Sequence, residues 1–391
     1  MYDVIIKGGT VIDPSLGLNS PSDVAIADGK IIEIGTSLDA KNSHRIIEVP
    51  GYIVTPGLID IHTHVYAGIN ANGVDPDEVG VYAGVTTLVD AGSSGCDNFA
   101  GFPSYIVPRA KTEIICFLHI CRTGLATQPD IFSRESINLD ATIQTVESNR
   151  DTIAGIKARM VSPALEIMGM EMPRLAKQAA RDSGVSLMVH IGDTEQRYDP
   201  NVIRQLLPLM DEGDILTHLF TPNAGGVLDS NGRLVDEVKE ARSQGIWLDT
   251  AHGRFNFSFD VGQRVLDQGL SPHCISTDVT APGRSSMFLS LTEMMTRFIA
   301  LGFSLEQVIA MCTCNPAQAL GQSHRIGSLS QGHQADVSIL EVKNGKWVVR
   351  DSLGNALTTD KAVVPIASIK RGELFKAHWG PRPSGWEPES A

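Results

Sequence analysis

Leu58-Ile59-Asp60-Ile61-His62-Thr63-His64 sets two histidines one residue apart at the end of an apolar run. Alternate side chains of a strand leave from the same face, so His62 and His64 stand roughly 6–7 Å apart on a rigid wall, close enough to grip one metal ion. The preceding Val54-Thr55-Pro56-Gly57 reads as a turn that launches the strand from a fixed point and so sets its register. Taken alone, the pair has a plainer reading as two hydrogen-bonded histidines in a strand, and the rest of the chain decides between the two.

Short apolar runs at 59–64, 85–90, 113–119, 155–158, 186–190, 214–218, 246–249 and 273–278 alternate with amphipathic stretches such as 173–182 and 232–244. That rhythm predicts an α/β fold, a (β/α)8 TIM barrel. A doubly wound open sheet would prefer a glycine-rich phosphate turn after its first strand, and none stands here. Both chain ends have a different texture, with short β-like runs broken by turns. Asp28-Gly29 between apolar runs signals a hairpin, because both central positions of a type I′ turn need positive φ. Neither end buries much apolar surface alone, so the two are expected to complete one small composite β-sandwich domain. The expected division is 1–54 for its first part, 55–326 for the barrel, and 327–391 for its second part and the tail, where Pro, Gly and Ser from 381 onward suggest flexibility.

With 391 residues and 42% hydrophobic content, the chain can bury a large core plus a smaller one. Lys and Arg total 32 against 45 Asp and Glu, a formal charge of −13 that opposes attraction to nucleic acid or anionic lipid. No apolar run approaches the roughly 18 residues needed to cross a bilayer, and the start lacks the features of a secretory signal. Cys96, Cys116, Cys121, Cys274, Cys312 and Cys314 form no CxxC pair, which suits a reducing compartment. The expectation is a cytoplasmic protein with a small-molecule partner, no nucleic-acid or membrane partner, and homo-oligomerisation left open.

In a barrel of this kind the working groups sit where strands finish. His62 and His64 end the first run, Lys157 lies in the fourth, His190 ends the fifth, His218 the sixth and Asp278 the eighth. A lone histidine at such a place is usually a core residue, and a lone lysine a paired one. Six metal-compatible groups at one rim, each after an apolar strand and before a loop, point instead to a joint metal site.

The opening Asp-Val-Ile-Ile-Lys-Gly-Gly-Thr-Val-Ile-Asp, the stretch from Val54 to His64, Asn315-Pro316-Ala317, and Gly327-Ser328-Leu329 through Gly332 to Ala335-Asp336 resemble the signposts of the amidohydrolase superfamily of metal-dependent hydrolases. The resemblance implies that His62 and His64 hold a more buried cation and His190 and His218 a more exposed one. It further implies that Lys157 bridges them as a carbamate formed with carbon dioxide, and that Asp278 is both a ligand and the catalytic proton carrier. An ammonium cannot ligate a cation, so a bridging role requires that modification. Two divalent ions, zinc by ligand preference with manganese, iron or cobalt as substitutes, would share a hydroxide that attacks the substrate carbonyl.

The relatives divide by what surrounds this core. Dihydroorotases look like His-x-His followed two residues on by an arginine that clamps a carboxylate; Tyr66 stands there, and a phenol makes no bidentate ion pair. Adenosine-type deaminases resemble a His-x-x-Glu pattern without a bridging lysine, whereas here the fifth strand gives His190-Ile191-Gly192-Asp193 and Lys157 is present. D-aminoacylases carry a cysteine ligand after the second strand, a place loosely matched by Cys96. The subgroup labelled amidohydrolase, deacetylase or dihydroorotase-like is most similar, through Gly155-Ile156-Lys157 and the segment from Asp249 to Asn256. It implies cleavage of a small acyl ester or amide carrying a carboxylate, such as an O-acetyl 2-hydroxy acid or an N-acyl amino acid. Cyclic-amide hydrolysis and D-aminoacylase activity are the alternatives, with a non-catalytic metal-binding scaffold a third that the complete ligand set argues against. Tyr66, Arg159, His252 and Arg254 are the expected substrate contacts, and Arg284 is a further cation in the eighth loop. His119 reads as a core residue or a support for the ligands.

Overall fold

The computed structural model describes residues 1–286, 290–378 and 387–388. Strands β1 (Tyr2–Asp13), β2 (Leu18–Ala27), β3 (Lys30–Gly35), β4 (Ser43–Glu48) and β5 (Ile53–Pro56) come from the start of the chain. Seven strands follow with helices between most of them: β6 (Leu58–Thr63), β7 (Val85–Ala91), β8 (Glu113–His119), β9 (Ile153–Arg159), β10 (Ser186–His190), β11 (Ile215–Thr217) and β12 (Trp247–Asp249). Near the other end lie β13 (Val337–Arg350), β14 (Ala356–Lys370) and β15 (Glu373–Lys376). The tail from 381 lies outside the described residues apart from 387–388.

Strands β6 to β12 pair in sequence order, every pair parallel. All six residues of β6 and all seven of β7 are buried. That is expected of a parallel sheet covered on both faces, and it is why these runs are continuously apolar. Helices such as Glu171–Ser183, with Met172, Ala176, Ala179 and Ala180 buried, cover the outside. The chain thus adopts the expected TIM-barrel architecture.

The eighth stave differs from the expected regular strand. Residues 273–278 form no regular strand, and the barrel closes through single bridges, Asp249 to Cys274 and, just beyond, Thr63 to Val279. The reason is a contact made only on folding. The Asp60 carboxylate takes the Thr277 N–H at 3.1 Å, and Asp278 has a φ of 49°, so the ladder gives way where a functional side chain must be turned. The Asp278 N–H still donates to the His62 carbonyl at 2.7 Å, which ties the two rims together.

Both chain ends enter one continuous hydrogen-bonded sheet with the path β15-β14-β13-β5-β1-β2-β3, in which β5 lies antiparallel to β13 and parallel to β1. The sheet wraps its own apolar core of Val11, Val24, Ile26, Val54, Val337 and Ile369 among others, and so forms the separate β unit expected from the two chain ends. Asp28 and Gly29 both have positive φ, as the hairpin reading requires.

This sheet is fastened to the start of β8 by Glu113, which accepts hydrogen bonds from Lys370 at 2.6 Å and Gln334 at 2.9 Å and pairs with Arg325 at 2.5 Å. Burial would raise the Glu113 pKa, but the Lys370 charge and these hydrogen bonds outweigh it and hold the carboxyl down at about 2 from 4.5. A depressed folded-state pKa contributes stability above the unfolded value, and that stability is lost as pH falls from 4.5 through 2. About 3 kcal/mol is at stake on that linkage. Glu113→Gln is therefore expected to unfold at lower urea than the parent at pH 7, with most of the gap gone near pH 2. A gap of equal size at both pH values would refute the assignment.

Candidate metal centre

Barrel geometry brings the strand ends to one mouth, and all six expected ligands are buried there. The Asp278 carboxylate lies at the centre: Oδ1 is 3.0 Å from His64 Nε2 and 3.4 Å from His62 Nε2, and Oδ2 is 3.8 Å from His218 Nε2. Lys157 Nζ is 3.2 Å from His62 Nε2. His190 packs edge-on against His218 with ring centroids 4.0 Å apart. Ligand atoms of His62, His218 and Asp278 all lie within 4.8 Å of one another, a spacing that could hold a metal ion.

Two backbone strains and two close approaches build this cluster. His218 has a φ of 74° and Asp278 of 49°, conformations that non-glycine residues adopt only when the surroundings compel them. A Cβ on Gly92 would stand 2.7 Å from Lys157 Cγ, and one on Gly253 2.4 Å from Asp278 Oδ2, so only glycine leaves those side chains their room.

Hydrogen bonds on the far side of the His62 and His218 rings settle which nitrogen of each carries the proton. The Thr217 hydroxyl donates its one proton to Asp249 at 2.6 Å, so toward His62 Nδ1, 2.9 Å away, it can only accept. His62 is then protonated at Nδ1 and presents a bare Nε2. His218 Nδ1 lies 2.8 Å from the Ala251 carbonyl, which likewise only accepts. Its Nε2 is a fully buried acceptor without a hydrogen-bond partner among the described residues, the kind of lone pair that a cation satisfies. His64 Nδ1 is held by Ser93, whose N–H is held in turn by Asp90. The residues therefore fit a metal centre by the chemistry of their donors.

Electrostatics agree. Burial, followed by the Lys157 charge, keeps His62 well below its usual pKa, and burial drops His218 to about 4, so both rings are neutral donors. Burial would raise the Asp278 pKa, but His64 foremost, by hydrogen bond and charge, pulls it below the ordinary value. Burial brings Lys157 from 10.5 down to about 7 against the opposing Asp278 charge. Burial lifts Asp60 and Asp249, on the outer side of the cluster, to about 7 and 6.

Thr217, Asp249, Ser93 and Asp90 were not singled out in the sequence. Their only signal is position, since Asp90, Thr217 and Asp249 lie in the last two places of barrel strands. Thr217→Val, which removes the acceptor for the His62 proton, is expected to weaken metal binding about 10- to 100-fold in chelator competition. Unchanged affinity would sink the tautomer argument.

The mouth opens into a pocket of about 150 Å³ lined by Arg159, Arg254, Asn72, Gln128, Asn256 and Thr280 along with every expected ligand but His218. The expected contacts Arg159 and Arg254 thus line it. Tyr66 and His252 do not: Tyr66 stacks on Phe102 and donates to the Asn98 carbonyl, and His252 stacks on Phe257 with Nδ1 2.6 Å from the Gly253 carbonyl. In both cases an apolar neighbour offers the ring more burial than the polar cleft would, a competition invisible in sequence. Arg284 pairs with Glu78 at 3.0 Å, also outside the pocket, and Cys96 stands by Asp97, away from the cluster.

A TIM barrel with clustered imidazoles and a carboxylate at its C-terminal mouth is the construction of a metal-dependent hydrolase. The chain matches the amidohydrolase family over residues 53–363 and belongs to it. A protein of Brucella anthropi named deacetylase is 30% identical over 363 residues, which cover 92% of this chain and 89% of that protein. A solved structure titled adenine deaminase superposes with a TM-score of 0.88 at 28% identity, covering 96% of this chain and all of that one. Another titled dihydroorotase gives 0.85 at 28% identity, covering 96% and 99%. The protein is accordingly a metal-dependent hydrolase of a family that acts on small molecules. Among the described residues no helix is long and apolar enough to cross a membrane.

Proposed function

We propose that this enzyme hydrolyses a small acyl ester or amide carrying a carboxylate, of the O-acetyl 2-hydroxy acid or N-acyl amino acid kind. It would do so with two divalent cations, zinc by ligand preference, held by His62, His64, His190, His218, Asp278 and a carbamate of Lys157. The observation that carries this reading is the buried cluster of His62, His218 and Asp278, with Lys157 against His62, His64 against Asp278 and His190 packed on His218, beside a pocket with two arginines. The name of the Brucella relative supports the acyl class. Such cations, when bound, supply Lewis acidity and lower the pKa of water.

The chain's own residues supply the rest. Asp278, ionised and hydrogen-bonded to His64, accepts the proton of the attacking water and returns it to the departing oxygen or nitrogen. Thr217 and the Ala251 carbonyl hold His62 and His218 in the tautomer that keeps their lone pairs inward, and Ser93 orients the His64 ring. Lys157 at a pKa of about 7 is about half unprotonated amine near neutrality, and its lone pair can add to carbon dioxide with loss of one proton to give the carbamate. A cytoplasmic enzyme without a nucleic-acid partner suits the net charge of −13.

The test is a panel of acetyl esters, N-acyl amino acids, dihydroorotate and adenine assayed on metal-loaded protein. Turnover is expected on the acyl compounds that bear a carboxylate. Fast turnover of dihydroorotate or adenine with none of the acyl substrates would replace this reading by cyclic-amide hydrolysis or deamination.

A further inference from the structure

We infer that Arg159 fixes the anionic end of the substrate and that the buried pair of Asp130 and His119 aims it, a deepening of the acyl-carboxylate reading on which it rests. Arg159 ends β9 two residues beyond Lys157, on the same face, and its backbone pairs with His190. It lines the metal pocket and also an adjoining cavity of about 550 Å³ that holds Ser162, Thr194 and Arg197. Of the arginines lining either cavity, it alone lines both.

Its orientation is built. Asp130 is 2% exposed, and its Oδ2 accepts from Arg159 Nη1 at 3.2 Å and lies 3.5 Å from His119 Nε2. His119 Nδ1 accepts the Cys121 N–H at 3.0 Å, so the ring proton is on Nε2, facing Asp130. The Ile131 N–H at 3.1 Å holds the other carboxylate oxygen. Burial would raise the pKa of Asp130, yet Arg159 first and His119 next keep it below the usual carboxylate range. A carboxylate clamped in this way fixes one edge of the guanidinium and leaves the fork turned to the cleft, where the side chain is 21% exposed. The other nearby arginines are committed elsewhere. Arg197 pairs with Glu166 and Glu195, Arg284 with Glu78, and Arg254 lies 4.9 Å over the exposed Phe255 ring, with no ion pair to a buried acid among the described residues.

This arrangement predicts discrimination between a carboxylate and its neutral amide. Metal-loaded full-length enzyme is assayed on N-acetylalanine, both enantiomers, and on N-acetylalaninamide. In Arg159→Met, kcat/KM for the carboxylate is expected to fall about 100-fold, chiefly through KM, with the amide changed less than about threefold. Asp130→Asn is expected to lose about tenfold, again only on the anion. Equal losses on both substrates, or none on either, would overturn the inference, since a merely structural role does not read substrate charge. Binding of lactate by calorimetry supplies a readout without turnover. If the parent cleaves none of these compounds, the functional reading fails; lactate binding that depends on Arg159 would then still uphold the anion site, and binding equal in Arg159→Met would overturn it.

Discussion

Asp278→Asn is expected to lower kcat about a thousandfold while thermal stability changes little. The amide has nearly the same shape and can still sit between the imidazoles, but it offers no basic oxygen to receive the proton of water. In the structure that oxygen is 3.0 Å from His64 and 3.4 Å from His62, and those contacts hold it ionised where burial alone would neutralise it. The measurement is steady-state kinetics on the best acyl substrate, with metal content determined on the same sample. Turnover within a few fold of the parent, at equal metal content, would remove Asp278 from the proton transfer. Loss of activity together with loss of metal would mean that its role is ligation alone.

Lys157→Ala is expected to be as damaging, on the order of a thousandfold, because groups that act as a unit fail together. The parent should also show a dependence the variant lacks: metal loaded in carbonate-free buffer yields poor activity, and added bicarbonate restores it. The physical reason is the burial that brings this amine to about 7, where its lone pair is available to carbon dioxide, whereas an exposed lysine near 10.5 is almost wholly ammonium at neutral pH. Activity indifferent to bicarbonate would remove the carbamate. Retained activity in the alanine variant would remove Lys157 from the centre altogether.

What could be read along the chain was whatever depends on neighbours in sequence. Seven barrel strands fall where apolar runs predicted them, since a strand buried on both faces must be apolar residue by residue. His62, His190, His218 and Asp278 were legible because each follows such a run, and a barrel collects the ends of its strands at one mouth whatever the details of packing. The hairpin at Asp28-Gly29 was equally local, a matter of two residues that tolerate positive φ.

Tertiary structure alone decided the remainder. Whether residues 273–278 make a regular strand depended on Asp60, more than two hundred positions earlier, capturing the Thr277 N–H. The tautomer of His62 depends on Thr217 and Asp249, on two other strands. Tyr66 and His252, polar enough to suggest substrate contacts, are drawn aside by Phe102 and Phe257. Among several arginines near the mouth, only folding could bring Asp130 and His119 behind one of them. The sequence by itself determined the barrel and the identity of its inward-facing donors, because both follow from periodicity and strand ends. Their protonation, aim and partners were decided by contacts between distant segments, which no local pattern encodes.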